Sequence, residues 1–404
     1  MQFKISSLVL YILKWLFITI GIGVCIGTAS AGFLISLDWV TNYRENHLWI
    51  IALLPIGGLL IGLLYHYYGK NVVAGNHLLF YTIQEPKAII PFKMAPFVYL
   101  GTMVTHLLGG SAGREGTALQ MAGAIADQFS KPFRLSTEER RILIIAAIAA
   151  GFGSVFGTPL AGAVFGLEVI LVRKFRYNAI FPAFAAAFFA DWVTRVWNAP
   201  HTHYVVSFVP KISPATLFYS IIAGIAFGLC AILFTQSMHR LTSFVAKKIS
   251  FPPLRPFLGG ILIAAVVLGF GTTKYIGLGI PIIESAFHQE LPTYDFLLKL
   301  LFTVVTLSVG FKGGEVTPLF FIGATLGNAL TFVLPLPIGL LSGMGFVAVF
   351  AGATKTPIAC FLIAIELFGI ESAVYAAIAC IVAYFVSGKG SIYQNQQLVG
   401  TKFS

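Results

Sequence analysis

Long stretches of this chain carry no charge at all. Residues 46–69, 142–167, 212–239 and 316–354 contain no Asp, Glu, Lys or Arg, and a helix needs roughly 20 apolar residues to cross the hydrocarbon core of a bilayer. Four such runs predict several membrane-spanning helices. The N-terminus, MQFKISSLVLYILKWLFITIGIGVCIGTASAGFLISL, has the basic start and apolar stretch of a secretory signal. It is too long for one: Lys14 interrupts it and the apolar stretch continues to Leu37, which predicts an uncleaved first span. Composition agrees, with 57% hydrophobic and 10% charged residues among 404 and a mean hydropathy of +0.88.

The formal charge of +11 would fit a nucleic-acid partner only if aromatic and basic residues were interleaved in a polar module, and they are not. The positive charge follows topology instead. Basic clusters fall at Lys131 to Arg141, Arg173 to Arg176 and Arg240 to Arg255, between apolar runs, as expected of cytoplasmic loops. The segment from Asn198 to Thr216 holds a single Lys and two His, and is the expected external loop. Cys25, Cys230, Cys360 and Cys380 lie in apolar runs without CxxC spacing, so they are expected to be small buried hydrophobes, with no disulfide and no metal site.

The chain repeats itself. GGSAGREGTALQMAGA recurs two hundred positions later as VGFKGGEVTPLFFIGA: Gly110, Gly113, Glu115, Thr117, Leu119, Gly123 and Ala124 match Gly310, Gly313, Glu315, Thr317, Leu319, Gly323 and Ala324, seven identities in fifteen positions. A second block repeats at a spacing of 198, where Thr158, Pro159, Ala161 and Glu168 match Thr356, Pro357, Ala359 and Glu366. The chain therefore divides into a first transmembrane repeat, 1–204, and a second, 205–404. With a cytoplasmic N-terminus and an external seam each half crosses an odd number of times, so the repeats are expected to be inverted.

Each copy of the first block reads as a glycine-rich stretch, a glutamate, a threonine and an apolar helix. Glycines let the chain bend, and the helix that follows aims its unpaired N–H groups and positive dipole end at the bend. Irregular backbone at membrane depth is tolerated where it lines a cavity. Two such helix starts facing one another predict an anion site near the midplane. The bland alternative is a pair of tight bends with small residues for helix packing. Glu115 and Glu315 weigh against it, because ionisable groups at membrane depth are costly and usually functional. For Glu168 and Glu366, each in a helix after a TP bend, a structural ion pair with a loop arginine is expected. Asp191 and Arg195, spaced i, i+4, predict a local ion pair. His66, His77 and His106 form no metal-ligand spacing and are expected to be ordinary core or interface histidines, His77 being the one to watch.

At these residues the sequence resembles the CLC family of chloride channels and anion/proton antiporters over nearly its whole length. GREGT at Gly113 to Thr117 is similar to that family's GREGP, GGEVTP at Gly313 to Pro318 to its GGIFAP, and GTPLAG followed by FGLEV to its APLAG helix. The resemblance implies that Glu115 is the gating glutamate and that Tyr393, in GSIYQNQ, lines the central anion site, with no regulatory domain after it. The departures from the usual pattern occur together in the bacterial CLC-type fluoride/proton antiporter branch: Asn76 in AGNHL stands where the chloride-handling members keep a serine, Thr117 replaces a proline, and Glu315 replaces an apolar residue. The internal proton-transfer glutamate of the chloride exchangers falls at Val169, which carries no proton, so Glu315 is the expected substitute. Fluoride is small, strongly hydrated and a good acceptor, and Asn76, Thr117, Thr317 and Tyr393 offer donors in place of water.

The expectation is thus an all-α polytopic membrane protein of the CLC type: two inverted-topology repeats whose broken helices meet at a midplane anion site. Its anion pathway is formed by Asn76, Gly113, Arg114, Glu115, Gly116, Thr117, Val316, Thr317 and Tyr393, with Glu115 and Glu315 coupling protons. The function implied is fluoride export in exchange for protons across the bacterial cytoplasmic membrane, giving fluoride resistance, in a homodimer and without cofactors. The alternatives are chloride/proton exchange and a chloride channel. A membrane enzyme using Glu115 and Glu315 as acid and base is the competing class. HExxH, GxSxG and carboxylate-rich metal motifs are absent from the sequence, so no enzyme is expected.

Overall fold

The computed structural model describes residues 2–86, 88–169, 176–202 and 204–393. Within the described residues, regular structure is helical. The first eight helices are α1 (Gln2–Asn46), α2 (Leu54–Tyr67), α3 (Asn76–Gln84), α4 (Met94–Leu107), α5 (Glu115–Asp127), α6 (Thr137–Phe156), α7 (Pro159–Glu168) and α8 (Ile180–Val196). Eight more follow in the same order: α9 (Pro214–Lys248), α10 (Leu254–Phe270), α11 (Ile280–Ala286), α12 (Asp295–Ser308), α13 (Val316–Leu330), α14 (Ile338–Thr354), α15 (Pro357–Phe368) and α16 (Ala373–Val386). A long first helix, a short third and a Pro-started seventh recur in each half.

The charge-free runs are not single rods. Run 142–167 bends at Gly157, which caps α6 in the left-handed region (φ 76°), and restarts at Thr158-Pro159. Lys355 takes the same conformation (φ 64°) at the end of α14, before Thr356-Pro357 starts α15. Proline suits the first helical turn, where its missing N–H leaves no bond unmade. Among the described residues, four helical segments are long and apolar enough to cross a membrane, Leu8–Asn46, Leu48–Tyr67, Tyr177–Val196 and Pro214–Lys248; α7, α10, α13, α14 and α15 are shorter.

The short helices form the interior. From Gly339 to Thr354 every residue of α14 is buried, as is α13 from Val316 to Asn328. The two cross backbone against backbone: a Cβ added at Gly323 would lie 2.0 Å from the Gly345 carbonyl oxygen. Only glycine permits that approach, the usual way membrane helices gain close contact. Aromatic rings seal the contact between the halves, with Phe156 against Phe320 at 4.9 Å and Phe152 stacked on Phe350 at 6.2 Å between ring centroids.

Two expectations need correction. Cys230, Cys360 and Cys380 are buried, but Cys25 is exposed, because it falls on the outer side of the long α1. Among the described residues, Glu168 and Glu366 pair with no loop arginine. Glu168 accepts from the amides of Ile358 (3.0 Å) and Ala359 (2.7 Å) at the start of α15, and Glu366 from those of Leu160 (3.0 Å) and Ala161 (2.7 Å) at the start of α7. Each half caps the other's broken helix, satisfying amides that have no acceptor within their own helix. Asp191 and Arg195 do form the expected pair, at 2.7 Å. Arg173 and Lys174 of the second basic cluster, and Gln394 to Gln396 of GSIYQNQ, lie outside the described residues.

Candidate anion site

The two glycine-rich bends meet backbone to backbone. Gly113 donates to the Gly314 carbonyl (2.6 Å) and Gly314 donates back to Gly113 (2.8 Å), a two-residue antiparallel bridge. Side chains are excluded here: a Cβ on Gly314 would lie 2.6 Å from the Gly116 nitrogen. The Gly113 amide is therefore engaged with the opposite bend and is not offered to an anion. Its contribution is to hold the starts of α5 and α13 together.

Beside this bridge sits the Glu115 carboxylate, fully buried at the first residue of α5. It reaches across to the other half, accepting from the Thr317 amide (3.1 Å) and the Thr317 hydroxyl (2.7 and 2.8 Å to its two oxygens), with a long bond from the Arg114 amide (3.3 Å). A carboxylate at a helix N-terminus stands where a free anion would be held by the same donors. Arg114 Nε lies 3.6 Å from Glu115 Oε1.

The sequence repeat suggests that Glu315 should mirror Glu115, and it does not. Glu315 is the residue preceding α13, and its Oε2 is buried without a hydrogen-bond partner. It lines a cavity of about 160 Å³ together with Asn76, His77, Gln120, Lys312 and Tyr393. The Asn76 Oδ1 and the Tyr393 hydroxyl are likewise buried and without partners. Gly116 packs beside two of the lining residues: a Cβ there would lie 3.3 Å from Asn76 Nδ2 and 3.7 Å from Glu315 Oε2. Asn76, Gly116, Glu315 and Tyr393 are thus brought together, with Val316 fully buried at the start of α13. Tyr393 is held by its ring against Phe80 (centroids 5.0 Å) and by its neighbour's amide, Ile392 donating to Ala353 O at 3.0 Å.

A second cavity, about 420 Å³, lies on the Arg114 side and is lined by Asp38, Arg44, His201 and Lys274 among others. Arg114 and Arg44 are both buried there, each with an Nε that makes no hydrogen bond. Glu115 itself lines neither cavity: Arg114 before it lines one, and Gly116 after it adjoins Asn76 and Glu315 of the other.

Of the four expected donors, two are engaged. The Thr317 hydroxyl is bonded to Glu115, and the Thr117 hydroxyl shares a 2.7 Å bond with Thr102 of α4. Thr102 and Lys312 were not singled out by motif. Lys312 lies inside the repeated block, facing Ala112 in the alignment, and that mismatch was the available signal. His77 borders the Glu315 cavity, whereas His106 is fully buried and His66 packs edge-on against Phe251. Among the described residues no group of His, Cys, Asp and Glu could hold a metal ion.

Two helix starts held together by the Gly113–Gly314 bridge, with an amide-held carboxylate buried beside it, offer the donors that a small anion needs. The chain belongs to the voltage gated chloride channel, or CLC, family, whose family model matches residues 57–388. It is 52% identical over 398 residues to the chloride/fluoride channel protein of Pseudomonas syringae pv. tomato, covering 97% of this chain and 88% of that one. It is 24% identical over 382 residues to an H(+)/Cl(-) exchange transporter of Klebsiella pneumoniae, covering 87% of this chain and 80% of the relative. The crystal structure of a CLC-type fluoride/proton antiporter superposes with a TM-score of 0.92 at 35% identity, covering 95% of this chain and 98% of the other. The chain is accordingly a CLC ion-transport protein of the membrane, in a family of transporters and channels.

Proposed function

We propose that the protein exports fluoride in exchange for protons across the bacterial cytoplasmic membrane, conferring fluoride resistance. The observation that carries this reading is the division between the two repeat-related glutamates. Glu115 occupies the helix-start donors that an anion would need, and Glu315 sits unpartnered in the adjoining cavity with Asn76 and Tyr393. Glu115 leaves those donors when protonated and competes for them when charged, which links anion passage to a proton. Glu315 takes the proton route that Val169 cannot serve. The Tyr393 hydroxyl and the Asn76 amide offer donors to a dehydrated fluoride.

The names of the fluoride/proton antiporter and the chloride/fluoride channel protein support fluoride as the ion. The second name also favours a channel reading, as the relative at 52% identity is called a channel. Liposomes holding the pure protein decide among the readings. Fluoride and chloride electrodes should record faster fluoride release, accompanied by proton uptake. Chloride leaving as fast as fluoride would refute the selectivity, and fluoride release without proton movement would leave a channel.

We also propose that the two halves are inverted repeats and that the protein works as a homodimer with one pathway per subunit. A mass of one chain in detergent at micromolar protein would refute the dimer.

A further inference from the structure

We propose that a basic pocket beside the anion site binds the headgroup of an anionic phospholipid, and that the bound headgroup fixes the loop carrying Glu315. The pocket, about 280 Å³, lies between the C-terminal end of α2 and the N-terminal end of α10. His66, Lys70, Arg255 and Lys312 line it, and no Asp or Glu does. None of the ion pairs among the described residues involves Lys70, Arg255 or Lys312. The Lys312 ammonium rests 3.9 Å from the centroid of the Tyr65 ring, a cation–π contact that leaves N–H donors on its far side for a phosphate.

The surroundings select a lipid over a soluble anion. The rest of the lining is mostly apolar, and the flanking helices expose Leu60 on α2 and Leu258 and Leu262 on α10. Acyl chains fit along those side chains while the phosphate meets the cations. The N-terminal end of α10 adjoins the Arg240 to Arg255 cluster that the charge pattern assigns to the cytoplasm, and the loop after α2 adds Lys70; that is the leaflet face where basic pockets between helices hold anionic headgroups.

The link to transport is Lys312 itself. It lines this pocket and also the cavity of Asn76, Glu315 and Tyr393. Its stem packs tightly on α4, where a Cβ at Gly101 would lie 2.7 Å from Lys312 Cγ. A phosphate that holds the ammonium therefore fixes the side chain along its length, three residues before Glu315.

Native mass spectrometry of the full chain, exchanged into detergent with phosphatidylglycerol or phosphatidylcholine, tests the site without reference to transport. The wild type should retain one phosphatidylglycerol in preference to phosphatidylcholine. Lys70→Gln and Lys312→Met should each lower that retention about fivefold, the ratio matching the ~1 kcal/mol attraction of one basic residue to an anionic lipid surface. Lys131→Gln, a change in a different basic loop, should not. Fluoride release from phosphatidylcholine liposomes should rise as phosphatidylglycerol is added for wild type and Lys131→Gln, and stay flat for Lys70→Gln. Equal retention in all variants, or millimolar inorganic phosphate displacing the lipid or replacing its effect on release, would overturn the proposal. Loss of fluoride transport with lipid retention intact would count against the functional reading and leave the lipid site standing.

Discussion

Glu115 and Glu315 occupy corresponding positions in sequence, yet their surroundings differ at the level of single atoms. Glu115 has the Thr317 amide and hydroxyl; Glu315 Oε2 has no donor. Sequence reasoning expects both to feel the same helix amides, and that symmetry fails because the bends cross at Gly113 and Gly314, one residue off the repeat register. Glu115→Gln retains an oxygen for Thr317 but removes the charge, so it holds the protonated form permanently. Coupled exchange should be abolished in this variant whether or not a fluoride leak survives. Glu315→Ala should reduce proton movement at least as much as anion movement, since Val169 offers no other carrier. Simultaneous recording of proton uptake and fluoride release from liposomes checks both variants. Unchanged coupling in Glu315→Ala would make its carboxylate structural. The glutamates and Tyr393 were legible from the repeat and the family motifs. Thr102 and Lys312 were not, because a threonine inside an apolar helix and a lysine in a bend acquire meaning only through what lies opposite them.

At the scale of elements, the repeat at 200 and 198 positions relates α5 to α13 and α7 to α15, and the helices around them follow in the same order in each half. It could not show how short apolar helices satisfy their ends. Glu168 at the end of α7 caps the start of α15, and Glu366 near the end of α15 caps the start of α7, which requires the two helices to lie side by side and antiparallel. No local pattern reveals this, since each cap joins residues about two hundred positions apart. Glu168→Ala leaves the Ile358 and Ala359 amides without acceptors, a loss of roughly 2–4 kcal/mol, and should lower the thermal unfolding midpoint in detergent. Glu168→Gln, which still accepts a bond, should lose less. The two caps lie about 15 Å apart along a ten-residue helix, so Glu168→Ala and Glu366→Ala should destabilise additively. Wild-type melting of Glu168→Ala would show that water replaces the cap at no loss.

For the whole molecule, the arrangement that places two like-built halves around one site depends on their facing the membrane in opposite senses. The charge pattern supports that orientation: Lys131 stands in a basic cluster between α5 and α6, and Ser207 in the poorly charged seam between α8 and α9. Both are exposed, so each can report which side of the membrane its loop faces. Three native cysteines, Cys230, Cys360 and Cys380, are buried and shielded from a membrane-impermeant maleimide, and Cys25 is the exposed one to remove. On a Cys25→Ala background in intact cells, Ser207→Cys should be labelled from outside, while Lys131→Cys should be labelled only after the cells are opened. The two positions bracket the end of the first half, so opposite exposure means that an odd number of crossings separates Lys131 from the seam. With the N-terminus on the Lys131 side, the second half then begins on the opposite face from the first. Labelling of both positions from the same side would mean parallel halves. Two parallel halves would aim the positive ends of α5 and α13 in the same direction across the bilayer, and the opposed helix starts on which the anion site depends would lose their physical basis.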